Sequence, residues 1–220
     1  MNDIQDIIKQ MPMPIAAQTL DDLKRSASER SGDLSQIGRR NPDNAVQIKS
    51  KGSPVEVWVK PLPYDGYREA WVKVFGSLNS YKQVWNRATG KVIDDNLEVD
   101  HVLSRKIAST IGYSYVRIFP VTESSNGHSG RTFEKNVSSN TSEQNTAGRT
   151  HFVNGIEYLD ILGFAKILNY PLEHAFFKRK KPPPAGHLSK VQNKDFVQDY
   201  YLNPIKTLQI LRNIGFIWWK

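Results

Sequence analysis

A carboxylate and an imidazole stand side by side at Asp100 and His101, in the stretch LEVDHVLSRK. Neighbouring side chains of a strand point to opposite faces, so one of the two would fall in the core, where an unpaired charge is costly. A histidine also titrates close enough to neutrality to take a proton from water. The structural alternative is the end of a surface strand where the pair makes only a local hydrogen bond.

Short elements on both sides must position this pair. NLEVDH predicts a strand, SRKIASTIG a short helix, and YSYVRIFPV a second strand. The stretch TESSNGHSG then predicts a loop, with Ser124 or Ser125 as the cap of a helix that follows. The local order is therefore strand, excursion, strand, loop and helix.

This order, in the segment VDHVLSRKIASTIGYSYVRIFPVTESSNGHSGRTFEK, resembles the ββα-metal fold of HNH and endonuclease VII superfamily nucleases. The more specific resemblance is to polymorphic bacterial toxin nucleases named for an Asp-His-Asn-Asn-Lys pattern. It covers about residues 97–137, under a fifth of the chain. It implies an α+β fold, with a ββα-metal core and additional helices on both sides. It also implies a metal-dependent endonuclease of DNA, with RNA as the alternative substrate.

The resemblance implies a role for each matching residue. His101 is the general base that activates water, Asp100 binds one divalent ion, and Asn126 is the second protein ligand of that ion. The chemistry agrees, because phosphodiester hydrolysis needs a nucleophilic water and a cation that offsets charge on the phosphate. Carboxylate and amide oxygens are hard ligands that suit Mg²⁺, the expected ion, or Mn²⁺.

Other positions of the family pattern stay open. Ser104 or Ser114 stands in for the usual asparagine between the strands. The last position of the family pattern corresponds to His128, Lys135 or Asn136. His128 would be a metal ligand there, and Lys135 would contact a phosphate or stabilise the transition state. Arginine binds phosphate through two parallel hydrogen bonds, and lysine binds it as a point charge. Phosphate contacts are predicted at Arg105, Arg131, Lys178, Arg179, Lys180 and Lys181.

The composition favours a polyanionic partner. The 220 residues carry a net charge of +8, and hydrophobic residues make up 39% of them, enough for a real core. Such a basic balance is typical of nucleic-acid binding, although it also occurs on surfaces without a partner. The chain has no cysteine, which excludes disulfides, zinc fingers and thiol nucleophiles. No apolar run approaches the length of a membrane helix, so no membrane partner is predicted.

The composition and the hydrophobic pattern of the sequence change near residue 50. Residues 1–50 are weakly apolar and rich in helix breakers, and predict a leader or linker that is weakly ordered or helical, with a docking segment as the alternative. Residues 51–220 are predicted to form the nuclease domain. Its core spans about 97–137, and a helical, basic extension spans 150–220.

The predicted domain contains further elements. VEVWVK predicts a strand, and DGYREAWVKVFGSL predicts a helix that Asp65 caps and Gly76 ends. NGIEYLDILGFAKILN has the spacing of an amphipathic helix. The tail is predicted to be helical up to Asn213.

Three classes of function follow. The first is a metal-dependent endonuclease, either an antibacterial toxin or effector or a phage or mobile-element nuclease. It would act in the cytoplasm, after secretion or delivery in the toxin case, with a cognate immunity protein or a delivery assembly as a partner. The second is a non-enzymatic, basic nucleic-acid-binding protein. The third is a structural component of a larger assembly.

Overall fold

The computed structural model describes residues 13–38, 42–62, 65–90, 92–128, 152–159, 163, 166–168 and 204–216. Helices and antiparallel strands mix along the chain, which confirms the predicted α+β class. The strands are β1 (Pro14–Ala17), β2 (Gly32–Gln36), β3 (Ala45–Ser50), β4 (Glu56–Val59), β5 (Leu97–His101), β6 (Tyr115–Thr122), β7 (Phe152–Val153) and β8 (Ile156–Tyr158). The helices are α1 (Leu20–Glu29), α2 (Tyr67–Phe75), α3 (Leu78–Thr89), α4 (Arg105–Ile111), α5 (Glu123–His128) and α6 (Pro204–Asn213).

All these strands belong to one sheet, in the order β2-β3-β4-β6-β1-β8-β7, with β5 pairing to β6 off this path. Strand β6 is the central strand, and all of its residues are buried. Val116 shows its position, because it pairs with Val59 of β4 on one side and Ala16 of β1 on the other. The second half of β6 pairs antiparallel with β5, which carries the acid-histidine pair.

Residues 1–50 are predicted to be a leader or linker that is weakly ordered or helical. In the described part of that range α1 is helical, but the prediction of a weakly ordered segment separate from the domain is wrong. Strand β1 lies between β6 and β8, and Ala16 and Ala17 are fully buried. Strands β3 and β4 pair across the predicted boundary at residue 50. Among the breakers of this range, Ser31 turns the chain from α1 into β2, and Pro42–Asn44 form a short 3-10 helix before β3.

The sheet has apolar clusters on both faces, which explains why the whole of β4 is buried. Trp58 packs against Leu23 and Ala27 of α1. Its neighbours Val57 and Val59 join the larger cluster on the other face, which includes residues of α2, α3 and α6. The alternation of side chains along β4 therefore supplies both clusters.

Several predicted elements are confirmed, with changes at their ends. VEVWVK forms β4, and the tail forms α6 up to Asn213. Gly76 ends α2 with φ 81, a left-handed conformation that glycine adopts without strain. Asp65 is not the N-cap of α2. Gly66 holds that position without a side-chain hydrogen bond, and the Asp65 carboxylate accepts a hydrogen bond from Arg105 instead.

The amphipathic helix predicted from residue 154 is wrong at its start. Residues 152–158 form a hairpin of β7 and β8 around Asn154 and Gly155. Both turn residues have positive φ, at 51 and 80, the conformation for which Asn-Gly is the favoured two-residue hairpin turn. The apolar spacing of the segment favoured a helix, and the Asn-Gly turn at its start was therefore not predicted. Residues 166 and 167 are helical, in the later part of the predicted helix.

None of the helices in the described ranges combines the length and the apolar character needed to cross a bilayer.

Candidate active site at the end of strand β5

Strands β5 and β6 and helix α5 form a compact unit around the acid-histidine pair. Asp100 pairs with Phe119 and His101 with Ile118 in the antiparallel ladder. Helix α5 follows β6 without a loop and contacts both strands. The observed order of strand, helix, strand and helix matches the predicted one, except that the predicted loop before the last helix is absent.

Side chains outside α5 cap its first turn, so the prediction of a Ser124 or Ser125 cap is wrong. The main-chain N–H of Ser124 donates to Asp95 Oδ2 at 2.7 Å, and that of Ser125 donates to Thr122 Oγ1 at 3.2 Å. Hydrogen bonding from Ser124 lowers the pKa of the Asp95 carboxyl. Because the helix begins early, Asn126 lies inside its first turns and not in an entering loop.

His101 is 2% exposed and has two different nitrogen environments. Its ring lies 4.6 Å from the ring of Tyr67 on α2. Its Nδ1 lies 3.7 Å from Asp100 Oδ1. Its Nε2 is buried and has no hydrogen-bond partner within the described ranges. An unpaired buried polar atom costs stability, and the described ranges contain three others, Trp71 Nε1, Tyr81 Oη and Trp85 Nε1.

Asp100 is held by a residue far along the chain. Lys166 Nζ donates to Asp100 Oδ2 at 2.7 Å and to the main-chain oxygen of His101 at 3.0 Å. Burial raises the pKa of Asp100, but the ammonium of Lys166 and the imidazole of His101 outweigh burial. The pKa therefore lies well below its ordinary value of 3.8, and the carboxylate is ionised at neutral pH.

A second acid, Glu98, lies two residues before Asp100 on β5. Residues two apart on a strand share a face, so both carboxylates project from the same side of β5. Asn126 Nδ2 donates to Glu98 Oε2 at 3.0 Å, and Arg68 Nη2 lies 3.8 Å from Glu98 Oε1. We call Glu98, Asp100, His101, Asn126 and Lys166 the Asp100 site.

The donors of the Asp100 site fit a divalent ion in kind. Two carboxylates on one face and a nearby amide supply the hard oxygens that Mg²⁺ prefers. In the described ranges, however, no group of three or more His, Cys, Asp or Glu side chains is arranged to hold an ion. The ammonium of Lys166 also binds the carboxylate predicted as a ligand. An ion at Asp100 would therefore have to displace Lys166.

The other predicted site residues are placed only in part. Arg105 begins α4 on the surface and pairs with Asp65 at 3.2 Å, with side chains 47% and 88% exposed. Such an exposed pair contributes about 0–1 kcal/mol, so Asp65 holds Arg105 only weakly. His128 is the last residue of α5, and its side chain lies outside the described part. The remaining predicted contacts fall outside the described residues: Arg131, Lys135, Lys178, Arg179, Lys180 and Lys181.

Sequence reasoning missed Lys166 and Glu98. Lys166 is the only charged residue in the apolar run LGFAKIL, and a buried lysine normally has a charged partner. That apolar run indicated that Lys166 is buried, but it gave no information on which residue pairs with Lys166. The alternation in LEVDH also placed two acids on one face of the strand, which was a readable sign of a second carboxylate in the site.

No protein-family model matches the chain, and no curated protein or solved structure matches it either. A function therefore has to follow from the chemistry of the chain's own residues.

Proposed function

We propose that the chain is an endonuclease that hydrolyses phosphodiester bonds, with His101 as the general base. Asp100 and Asn126 would hold one divalent ion, Mg²⁺ or Mn²⁺, and DNA would be the substrate, with RNA as the alternative. One observation carries the proposal: β5, β6 and α5 bring an acid-histidine pair to the end of a strand, beside a helix that bears Asn126. This arrangement supports a ββα-metal core around residues 97–128.

The two nitrogens of His101 suit a base. Nε2 has no partner within the described ranges, so its lone pair is available to a water proton. Nδ1 faces the Asp100 carboxylate at 3.7 Å. A nearby carboxylate stabilises the imidazolium that forms when Nε2 takes the proton. When bound, the ion would offset the charge that develops on the phosphate and the leaving oxygen.

Access to His101 requires a movement of its surroundings. The side chain is 2% exposed, so the water that attacks a substrate phosphate reaches Nε2 only after a covering group shifts. Tyr67 is a candidate for that group, because it is half-buried and its ring lies 4.6 Å from the imidazole. Arg105, exposed on α4 four residues after His101, would guide the phosphate by charge and by two parallel hydrogen bonds.

The same proposal includes a biological setting. A net charge of +8 would draw the protein to nucleic acid, and it would equally attract an acidic inhibitor. This charge supports the proposal of a toxin or effector with a cognate immunity protein or a delivery assembly. A phage or mobile-element nuclease with the same chemistry is the alternative setting.

The test is cleavage of plasmid DNA and of RNA by the purified chain, with Mg²⁺, Mn²⁺ or EDTA. The variants are His101→Ala, His101→Gln and, as an exposed control on α4, Lys106→Ala. We expect cleavage to need the ion and to fall about 10²- to 10⁴-fold without the imidazole. Lys106→Ala should cut like the wild type. Added imidazole should restore part of the activity of His101→Ala, which loss of folding would not allow.

Equal cleavage by wild type and both His101 variants would reject the assignment of the base. Circular dichroism must show that each variant is folded before its rate is compared. A protein that shifts DNA on a gel without cutting it, with or without EDTA and with or without His101, would be the non-enzymatic binding protein instead.

A further inference from the structure

We infer that Lys166 is the resident cation of the Asp100 site, and that its ammonium and a divalent ion are alternative partners of the Asp100 carboxylate. The inference rests on the proposed function, which names Asp100 as a metal ligand. It adds a residue that the sequence motif does not contain. Lys166 would set how readily the site takes up its ion.

The first support is the burial and bonding of Lys166. The residue is 3% exposed, and an ammonium removed from water needs a charged or strongly polar partner. Nζ finds two partners at the end of β5, Asp100 Oδ2 at 2.7 Å and the main-chain oxygen of His101 at 3.0 Å. A lysine at this position therefore contacts both residues of the acid-histidine pair.

The second support is the position of the Lys166 main chain. Its carbonyl oxygen accepts a hydrogen bond from Ser125 Oγ at 3.3 Å. Ser125 is the neighbour of Asn126 on α5, and Asn126 is the other proposed ligand. The backbone of Lys166 thus bonds to the helix of the unit, while its side chain bonds to the strand.

The third support is the charge of the site. Glu98 and Asp100 carry negative charges, and Arg68 and Lys166 lie beside them with positive charges. Among the described residues of the site, these four charges cancel without any added ion. A divalent ion at Asp100 would meet the ammonium as a like charge at close range, which disfavours keeping both. Lysine is a compact charge on a flexible stem, so the ammonium can withdraw when the ion binds.

Binding of Mn²⁺ alone tests this inference without reference to cleavage. Mn²⁺ affinity would be measured by electron paramagnetic resonance for the wild type, Lys166→Met and Lys106→Met, the last being an exposed control on α4. We expect Lys166→Met to bind Mn²⁺ about 10- to 1000-fold more tightly, the range over which one neighbouring charge changes proton binding. The double variant Lys166→Met/Asp100→Asn should lose that gain.

Labelling of the wild-type protein gives a second measurement that needs no variant. Lys166 should resist acetylation by a water-soluble reagent when no ion is present, and its labelling should rise with added Mn²⁺. Lys106 should label equally in both conditions. Mass spectrometry of the digested protein reads both lysines in one sample, and it remains available if Lys166→Met does not fold.

Unchanged Mn²⁺ affinity in Lys166→Met, or a gain that persists without Asp100, would overturn the inference. Constant protection of Lys166 as Mn²⁺ saturates the protein would do the same. If cleavage still depends on His101 when either result is found, the proposed function is kept and only the inference about Lys166 is rejected. Tighter Mn²⁺ binding in a protein that never cuts nucleic acid would support the inference and reject the nuclease.

Discussion

Two clusters of buried charge lie on the same sheet, and they are bonded differently. In the first, which we call the Glu56 cluster, Glu56 accepts hydrogen bonds from Arg30 at 2.5 Å and from Trp58 Nε1 at 2.9 Å. Arg117 lies 3.9 Å from Glu56 and donates to the main-chain oxygen of Phe216 at 2.6 Å. In the Asp100 site, by contrast, His101 Nε2 has no hydrogen-bond partner in the described ranges.

The two clusters differ in how completely their polar groups are paired. The Glu56 cluster has two cations for one acid, and Arg117 also lies over the ring of Phe216 at 4.1 Å. It bonds the centre of the sheet to Phe216, in the turn that follows α6. Burial raises the pKa of Glu56, yet Arg117 and Arg30 lower it below its ordinary value. In the described ranges, the Asp100 site leaves His101 Nε2 without a hydrogen-bond partner, which costs stability.

Removing a cation from the Glu56 cluster should have the largest effect on stability. We expect Arg117→Met to lower the free energy of unfolding by about 3–5 kcal/mol, because Glu56 stays buried with one fewer positive charge. Urea unfolding followed by tryptophan fluorescence measures the loss. Arg87→Met, an exposed position on α3, is the matched control and should stay within about 0.5 kcal/mol of the wild type. If Arg117→Met lowers the free energy of unfolding by less than about 1 kcal/mol, the proposed difference between the Glu56 cluster and the Asp100 site is wrong.

Breaking the Asp100–Lys166 pair should cost less. The Asp100 side chain is 19% exposed, so water can partly replace the ammonium. We expect Lys166→Met to lower the free energy of unfolding by about 1–3 kcal/mol. Lys166→Met/Asp100→Asn should lose less than the sum of the two single variants, since neither charge is then left alone. Strict additivity in a double-mutant cycle would show that the pair is not coupled.

Acid should remove the contribution of the Asp100 carboxylate, and in a definite direction. The folded-state pKa of Asp100 lies below its unfolded value of 3.8. Its carboxylate therefore stabilises the fold fully above that value, and this contribution is lost as the pH falls through the folded-state pKa. The difference in urea midpoint between wild type and Asp100→Asn should be constant near neutrality and shrink below pH 3.8. A difference that grows in acid would contradict the direction of the shift.

The sequence predicted the local elements around the acid-histidine pair, because their signals are local. The alternation of LEVDH indicated β5, and Gly112 marked the end of α4. Prediction failed where a distant partner decides the structure. The alanines of β1 carry little strand signal, and this segment is a strand because β6 and β8 lie on both sides of it. The Asn-Gly pair is a known hairpin turn signal, but the helical spacing of the apolar residues after it led to the prediction of a helix.

The sequence by itself determined the order of elements from β5 to α5 and the adjacent carboxylate and imidazole, since both are fixed by short-range spacing. Only the tertiary structure decided which groups those side chains meet. It brings Lys166 to Asp100 across 66 residues of chain and Asn126 to Glu98 across 28. It also encloses His101 so that Nε2 has no partner in the described ranges. Such contacts depend on how the sheet and helices pack, and no local pattern encodes the distance between residues that are far apart in the chain.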